Sequence, residues 1–192
     1  VPSATSMVAP LPAAGAKPVL SGAEVPANWT AGADGTWSTS SDMVRFCTVC
    51  TTNPDPSVEG MAAHPEQVFV DGAPLTQVGS RAEVSAGTFY VEDADPVTLV
   101  SAGNNRAGYN AKPHRGAGYV IGVDPGRHTV EVVQHSRALT LIGDSTTLDG
   151  LTVEKYSPVQ QWDYNDPEIG TSTGGVMVFA SGKGLQVTNN TF

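Results

Sequence analysis

The last third of the chain alternates short apolar segments with single glycine, aspartate and asparagine residues. Two of these segments echo one another, Gly150-Leu-Thr-Val153 and Gly184-Leu-Gln-Val187. Alternate side chains of an extended segment point to the same side, so each segment can bury its aliphatic residues and then turn sharply. A solenoid is built from such segments, because each coil buries its apolar side chains against the next. The pattern predicts stacked β coils over residues 136–192, with Asn189 and Asn190 bonding along the stack.

Upstream of these coils, strand signals alternate with turn signals, and helical periodicity of useful length is almost absent. Glycine (21 residues) and proline (14 residues) are abundant, and this composition favours short strands and tight turns over helices. We predict three hairpins, which pair residues 68–70 with 75–78, 88–92 with 97–100, and 119–123 with 129–133. Three successive hairpins indicate an antiparallel β-sheet or sandwich subdomain over residues 25–135.

The first part of the chain, residues 1–24, is rich in alanine and proline as far as Lys17. We expect it to provide a linker and a possible first strand of the coils. The predicted fold class is therefore all-β, with parallel β coils and an inserted antiparallel subdomain.

The charge of the chain excludes a nucleic acid as partner, and its hydropathy excludes a membrane span. The formal net charge is −9 and lysine and arginine do not cluster, so a polyanionic nucleic acid would be repelled. A membrane span needs about 20 consecutive apolar residues, and the apolar runs here are only a few residues long. The low charged fraction of 15%, with many serine, threonine and asparagine residues, favours a secreted, extracellular protein.

Several stretches resemble a known superfamily. The segments RALTLIGDSTTLDGLTVEKYSP and GLQVTNNTF look like coils of the pectate-lyase-like right-handed parallel β-helix superfamily. The stretches KPVLSGAEVPANWTAGADGTW, EQVFVDGAPLTQV and GTFYVEDADPVTLV resemble those of secreted bacterial β-helix proteins related to glycoside hydrolases, in which a β insertion interrupts the coils. The resemblance implies a right-handed parallel β-helix with further coils after Phe192 and before Val19, so that this chain is a fragment. It also implies a carbohydrate-related activity, although the superfamily contains lyases, hydrolases, epimerases and non-enzymes.

The stretch from Tyr156 to Gly175 interrupts the coil pattern and is the main candidate site. Aromatic rings stack on the C–H faces of sugars while carboxylates accept hydrogen bonds from their hydroxyls, so a mixture of the two suits a saccharide groove. Paired carboxylates can also act as general acid and base. A Ca²⁺ site and a solvated loop that its aromatic residues hold in place are the alternatives. The candidates are Asp163, Asp166 and Glu168 for catalysis and Tyr156, Trp162 and Tyr164 for substrate binding.

A second candidate is the basic, glycine-rich stretch that contains Lys112, His114 and Arg115. Arginine and lysine recognise carboxylates and phosphates, so His114 and Arg115 are predicted to contact an acidic sugar or a phosphate. A flexible hairpin connection is the alternative.

Other residues with chemical potential are expected to be structural. Cys47 and Cys50 form a lone C-x-x-C without a following helix, which favours a local disulfide or two buried thiols. Three histidines show no metal-ligand spacing, and two tryptophans are expected to anchor the core of the insertion. These residues are His64, His128, His135, Trp29 and Trp37.

Two hypotheses for the function follow. The first is a secreted enzyme that degrades polysaccharide, either a glycoside hydrolase or a polysaccharide lyase, with residues Trp162 to Glu168 in its groove. The second is a non-catalytic cell-surface or carbohydrate-binding β-helix protein. The sequence assigns no cofactor with certainty, and Ca²⁺ is the metal that the candidate carboxylates are suited to hold.

Overall fold

The structure is a computed structural model that describes residues 17–46, 61, 64–93, 114–157 and 177–192. Across these ranges the chain is all-β, with short strands, one 3-10 turn at Arg81–Glu83 and no α-helix. No helix in them is long and apolar enough to cross a membrane. The strands of the first two thirds are β1 (Val19–Ser21), β2 (Ala23–Glu24), β3 (Trp29–Ala31), β4 (Trp37–Thr39), β5 (Met43–Arg45), β6 (Val68–Val70), β7 (Ala73–Pro74), β8 (Thr76–Gln77), β9 (Thr88–Asp93), β10 (His114–Ile121) and β11 (Val130–Val133). The later strands are β12 (Leu139–Ile142), β13 (Thr147–Asp149), β14 (Thr152–Glu154), β15 (Val178–Ser181) and β16 (Gln186–Thr188).

The strands β2 to β11 form two sheets. The larger sheet has six strands in the order β3-β4-β10-β9-β8, with β5 also paired to β10. The smaller sheet has four strands in the order β2-β11-β6-β7. Every pair in the two sheets is antiparallel except the parallel pair β8–β9. The antiparallel pairing that we expected between residues 25 and 135 is therefore present.

The two sheets pack face to face around one apolar core. Along β10, Ala117, Tyr119 and Ile121 alternate and are fully buried, which is the period of two that one face of a sheet requires. The smaller sheet contributes Val68 and Val132, which are also fully buried, to the same cluster. The region is thus a β-sandwich with its core between the sheets.

Tyr119 is the largest fully buried side chain of this core. Its ring stacks on that of Phe89, with centroids 6.2 Å apart and an interplanar angle of 17°. Its hydroxyl donates a hydrogen bond to the Val44 main-chain oxygen at 2.7 Å, so the polar end of the ring is satisfied inside the core. Burial raises the pKa of the Tyr119 hydroxyl well above its ordinary value.

The three predicted hairpins have different outcomes. The first turn is present but the predicted partner strand is wrong, because β6 pairs with β7 around Asp71 and Gly72, both of which have positive φ. Residues 76–77 of the predicted partner form β8, which pairs with β9 in the larger sheet. The third is wrong, because β10 belongs to the larger sheet and β11 to the smaller. The connection after Ile121 therefore crosses between the sheets. In the second, β9 pairs with β10 and β8, while residues 97–100 lie outside the described residues.

The strands after Arg137 pair in parallel with one another. β12 pairs with β15 and β13 with β16, and an isolated parallel bridge joins Thr152 to Thr191. Hydrogen bonds between side chain and main chain join the two sets of segments at a separation of 39 residues. The same separation relates the partners of both strand pairs and of the bridge, as in Leu148 opposite Val187. Residues 139–154 and 178–191 thus run side by side in a constant register.

The backbone turns repeat at this separation as well. Three positions of the first segment have positive φ, namely Gly143 (147°), Ser145 (60°) and Gly150 (72°). The positions opposite them are Gly182 (150°), Gly184 (68°) and Asn189 (56°). Each strand end therefore turns with the same local geometry in both segments, although glycine, serine and asparagine exchange places.

Polar side chains at these turns bond across the two segments. The Asp144 carboxylate accepts a hydrogen bond from the Lys183 main-chain N–H at 2.7 Å. Asp149 accepts from the Thr188 hydroxyl and the Asn189 amide, and these bonds lower the pKa of its carboxyl group. Asn190 accepts from the Leu151 N–H at 2.8 Å, and its own amide donates to the Leu148 carbonyl at 2.8 Å. The turn residues thus hold neighbouring segments together.

The sandwich joins the parallel strands at Gly22. β1, which precedes the sandwich, pairs in parallel with β14, which follows it. The Gly22 N–H donates to the Glu154 oxygen at 3.1 Å, and the Gly22 oxygen accepts from Gln134 N and His135 N. A Cβ on Gly22 would lie 2.5 Å from the Lys155 oxygen, so only glycine fits. Residues on either side of the sandwich are therefore adjacent in space.

Candidate functional site

Most of the residues predicted to act on a saccharide lie outside the described residues. They are Trp162, Asp163, Tyr164, Asp166 and Glu168. Lys112 also lies outside the described residues. Tyr156 is described, and its partly buried ring packs against the main chain of Gly22. Burial raises the pKa of the Tyr156 hydroxyl. His114 is placed by its backbone, as the residue of β10 opposite Arg45.

Arg115 lies on a groove at the junction between the sandwich and the parallel strands. The groove encloses ≈350 Å³, which falls within the range of ligand sites, about 300–1,000 Å³. We call it the basic groove, since three of its lining side chains are basic and, among the described lining residues, none is acidic. Its lining residues are Val44, Phe46, Arg115, Gln134, His135, Ser136 and Arg137.

A bulge in β10 sets the direction of Arg115. The register of β10 against β5 shifts between Arg115 and Ala117, and Gly116 between them has a φ of 135°. Such bulges bend a strand and redirect its side chains. The exposed Arg115 side chain donates from Nη1 to the Asp42 main-chain oxygen at 3.1 Å. Because this acceptor is a neutral carbonyl, the bond positions the guanidinium group without neutralising its charge.

The floor of the basic groove is held by Gln134. This side chain is buried, and its Oε1 accepts a hydrogen bond from the Val44 N–H at 2.9 Å. Its Nε2 donates to the Val133 carbonyl at 2.7 Å. The amide thereby ties β5 to the strip of residues 133–137, on which His135 and Arg137 lie. The groove is built by the contact between these two segments, which are far apart in the sequence.

The two remaining basic side chains contact polar residues at the edge of the groove. His135 Nε2 lies 3.3 Å from Glu24 Oε1, and both side chains are more than half exposed. Arg137 donates from Nη1 to the Thr140 hydroxyl at 3.5 Å. Three basic side chains thus lie together at this groove in a chain whose net charge is −9.

The segment predicted to carry the active carboxylates starts and ends beside this groove. Ser157, the last described residue before it, donates its N–H to the His135 oxygen at 3.0 Å. Met177, the first described residue after it, accepts from the Ala138 N–H at 2.8 Å. The two residues that flank segment 158–176 are thus bonded to residues 135–138.

The sequence analysis identified Arg115 but missed the other half of the basic groove. We expected His135 to be structural, and we used Arg137 only as a boundary between the sandwich and the coils. Both residues line the groove. Their proximity to Arg115 arises from long-range packing, and no local motif marks it. Among the described residues, no group of three or more histidine, cysteine, aspartate or glutamate side chains could hold a metal ion.

Comparisons with known proteins give one distant similarity. No protein-family model matches the chain, and no curated protein matches it. A solved structure of XylC in complex with xylose matches with a TM-score of 0.39 and 14% sequence identity. The match covers 75% of this chain and 24% of the XylC chain, so this chain spans about a quarter of the length of that protein. A TM-score below 0.5 does not by itself establish a shared fold.

Proposed function

We propose that residues 17–21 and 136–192 are coils of a right-handed parallel β-helix, and that residues 25–135 are a sandwich inserted into it. The constant separation of 39 residues supports this proposal, because every strand of one coil must lie over the matching strand of the next. The right hand follows the general preference of parallel crossover connections. The aliphatic columns of this β-helix pair the buried Leu148 with Val187, which is 52% exposed among the described residues, and the buried Val153 with Leu20.

We further propose that the protein is carbohydrate-active and that its basic groove binds an acidic saccharide. The observation that carries this proposal is the convergence of Arg115, His135 and Arg137 on one groove of a strongly acidic chain. Guanidinium groups bind carboxylates through paired, charge-assisted hydrogen bonds. The Ser136 hydroxyl and the apolar Val44 and Phe46 complete a lining suited to a uronic acid, which carries a carboxylate, hydroxyls and apolar C–H groups.

The residues that flank segment 158–176 in the sequence support a catalytic version of this proposal. Ser157 and Met177 are bonded to residues 135–138, and residues 135–137 line the groove. In this version Asp163, Asp166 and Glu168 supply acid and base groups for hydrolysis or elimination, and Trp162 and Tyr164 contact the sugar. An acidic polysaccharide is found outside the cell, which is consistent with a secreted protein. In the non-catalytic alternative, the same groove binds the saccharide without releasing product.

Replacing Arg115 or Arg137 by glutamine should weaken the binding of trigalacturonate about tenfold each. The charged hydrogen bonds are lost while most of the side-chain bulk remains. Isothermal titration calorimetry at low ionic strength measures the affinity, which should fall as salt screens the groove. Arg127→Gln is the matched control, because it removes the same charge from a side chain that is 83% exposed and does not line the groove.

Two further measurements decide between the versions of the proposal. Fully methyl-esterified trigalacturonate has the same sugar rings but no charge. The unchanged protein should bind this ester no more tightly than the Arg115→Gln/Arg137→Gln double variant binds trigalacturonate. Equal binding of the acid by the double variant and the unchanged protein would remove the basic groove as the site. Assays on a panel of acidic and neutral polysaccharides, with and without chelator, then separate an enzyme from a binding protein by the release of product.

A further inference from the structure

A second groove opens at the rim of the sandwich, away from the residues of the basic groove. It encloses ≈280 Å³ between β3 and β4 of the larger sheet and the ends of β2 and β11 of the smaller one. We call it the tryptophan cleft. The side chains that determine its chemistry are Pro26, Trp29, Trp37, Asp124, His128 and Val130.

The pairing of β3 with β4 puts both tryptophans on one face. Trp29 lies opposite Thr39, and Trp37 is two residues before Thr39 on the same strand. Both indoles are half-buried and pack against the edge of the sandwich core. Trp29 is fixed further, because its Nε1–H donates to the Pro26 oxygen at 3.1 Å. The rings are thus held in place before any ligand binds, which lowers the entropy cost of binding.

Polar groups from the turn between β10 and β11 border the indoles. Asp124 accepts a hydrogen bond from the Gly126 N–H at 2.9 Å through Oδ1, and its Oδ2 lies 3.6 Å from the exposed Arg127 Nε. His128 Nδ1 contacts Asp71 Oδ2 at 2.6 Å, and Asp71 Oδ1 accepts from the Thr129 N–H at 2.9 Å. The Asp71 carboxylate therefore orients the imidazole and directs its Nε2 away from this pair. A carboxylate and an imidazole nitrogen, both able to bond hydroxyl groups, lie beside two apolar aromatic surfaces.

The geometry points to a neutral saccharide as the ligand, and we propose that the tryptophan cleft is a binding site for neutral pyranose units. Indole faces complement the C–H faces of a sugar ring, and the polar groups at the border complement its hydroxyls. The lining contains no lysine or arginine among the described residues, so it offers an anionic ligand neither a guanidinium nor an ammonium group. This site is separate from the basic groove, and its existence does not depend on the function proposed there.

Titration with cellohexaose, xylohexaose and laminarihexaose tests the proposal, with calorimetry and intrinsic tryptophan fluorescence as the readouts. At least one of these oligosaccharides should bind, and trigalacturonate should not compete for the site. Trp37→Leu keeps apolar bulk against the core but removes the stacking surface, so it should weaken binding about tenfold. Asp124→Asn preserves an acceptor for the Gly126 N–H and should weaken binding about threefold through loss of charge.

Three controls make the outcome decisive. Tyr90→Leu changes a partly buried aromatic residue of the same sheet, whose neighbour Phe89 points to the core, so Tyr90 lies on the opposite face. It should leave binding unchanged, as should the Arg115→Gln/Arg137→Gln double variant. If Trp37→Leu does not fold, Asp124→Asn and His128→Gln remain as tests at exposed positions. Failure of all three oligosaccharides to bind would overturn the proposal, and so would full binding by folded Trp37→Leu and Asp124→Asn.

Discussion

Replacing Gly182 by alanine should destabilise the parallel strands by about 3 kcal/mol or more. A Cβ on Gly182 would lie 2.1 Å from the Gly143 oxygen and 2.6 Å from the Gly143 carbon, both of them main-chain atoms of the neighbouring segment. The backbone at Gly182 also has a φ of 150°, which side chains rarely adopt. The two segments would have to separate to admit the methyl group. Equilibrium denaturation in urea measures the loss, and hydrogen exchange locates it in β12 and β15.

The neighbouring Gly184 provides the matched control for this substitution. Its φ is 68°, and a Cβ there would meet the Ser145 side chain only at 3.7 Å. Asparagine tolerates this left-handed conformation, as Asn189 does at 56°. Gly184→Asn should therefore change the free energy of unfolding by less than about 1 kcal/mol. If Gly182→Ala is as stable as Gly184→Asn, the two segments are not packed at the distance described.

Truncating Tyr119 to alanine should cost about 4 kcal/mol, the range of large core aromatic residues. The ring is fully buried between the two sheets and stacks on Phe89, so its removal leaves a cavity that rigid strands cannot fill. The Val44 oxygen would also lose its donor. Because the loss lies in the sandwich core, the midpoint of urea denaturation should fall while the slope stays constant.

Tyr119→Phe separates the two contributions. Phenylalanine keeps the packing and removes only the hydroxyl that bonds to the Val44 oxygen at 2.7 Å. We expect a loss of about 1–2 kcal/mol, the cost of a buried acceptor without a donor. Equal stability of the alanine variant and the unchanged protein would place Tyr119 outside the core.

Local turn chemistry made part of the sandwich predictable from the sequence. Asp71 and Gly72 both accept positive φ, so the chain reverses there and β6 pairs with β7. The predicted pairing of residues 119–123 with 129–133 failed because Tyr119 and Val132 face the same core from opposite sheets. In either arrangement each segment alternates core-facing apolar residues with residues on its other face. The pattern of apolar residues therefore cannot distinguish a hairpin from a crossover between sheets.

The repeat in the parallel strands was visible in the sequence, but its register was not. The echo of Gly150-Leu-Thr-Val153 in Gly184-Leu-Gln-Val187 would align Leu151 with Leu185, whereas Leu148 lies opposite Val187. The reason is that Gly184 matches Ser145 in conformation, and Gly150 matches Asn189. Different residue types occupy equivalent left-handed positions. A comparison of the two amino-acid sequences therefore does not reveal the conformational repeat.

The candidate site was predictable only where charge was concentrated locally. Arg115 lies in a basic stretch and was identified for that reason, while His135 and Arg137 approach it only through the bulge in β10 and the Gln134 bridge. The tryptophans illustrate the same limit. Trp29 and Trp37 do pack against the core, as expected, but the part of each ring that remains exposed becomes a cleft only when Asp124 and His128 are brought beside it.

Disulfide trapping tests the proposed stacking of coils most directly. Thr147 and Gln186 are exposed partners in the β13–β16 pair, and neighbouring strands lie about 4.8 Å apart, within the Cα separation of about 4.4–6.8 Å that a disulfide needs. The double variant Thr147→Cys/Gln186→Cys should form a bond between positions 147 and 186 under mild oxidation, identified by peptide mass mapping. Thr147→Cys/Ser181→Cys, the pairing implied by the sequence echo, should not. A bond between positions 147 and 181, with none between 147 and 186, would contradict the 39-residue register and the stacked coils built on it.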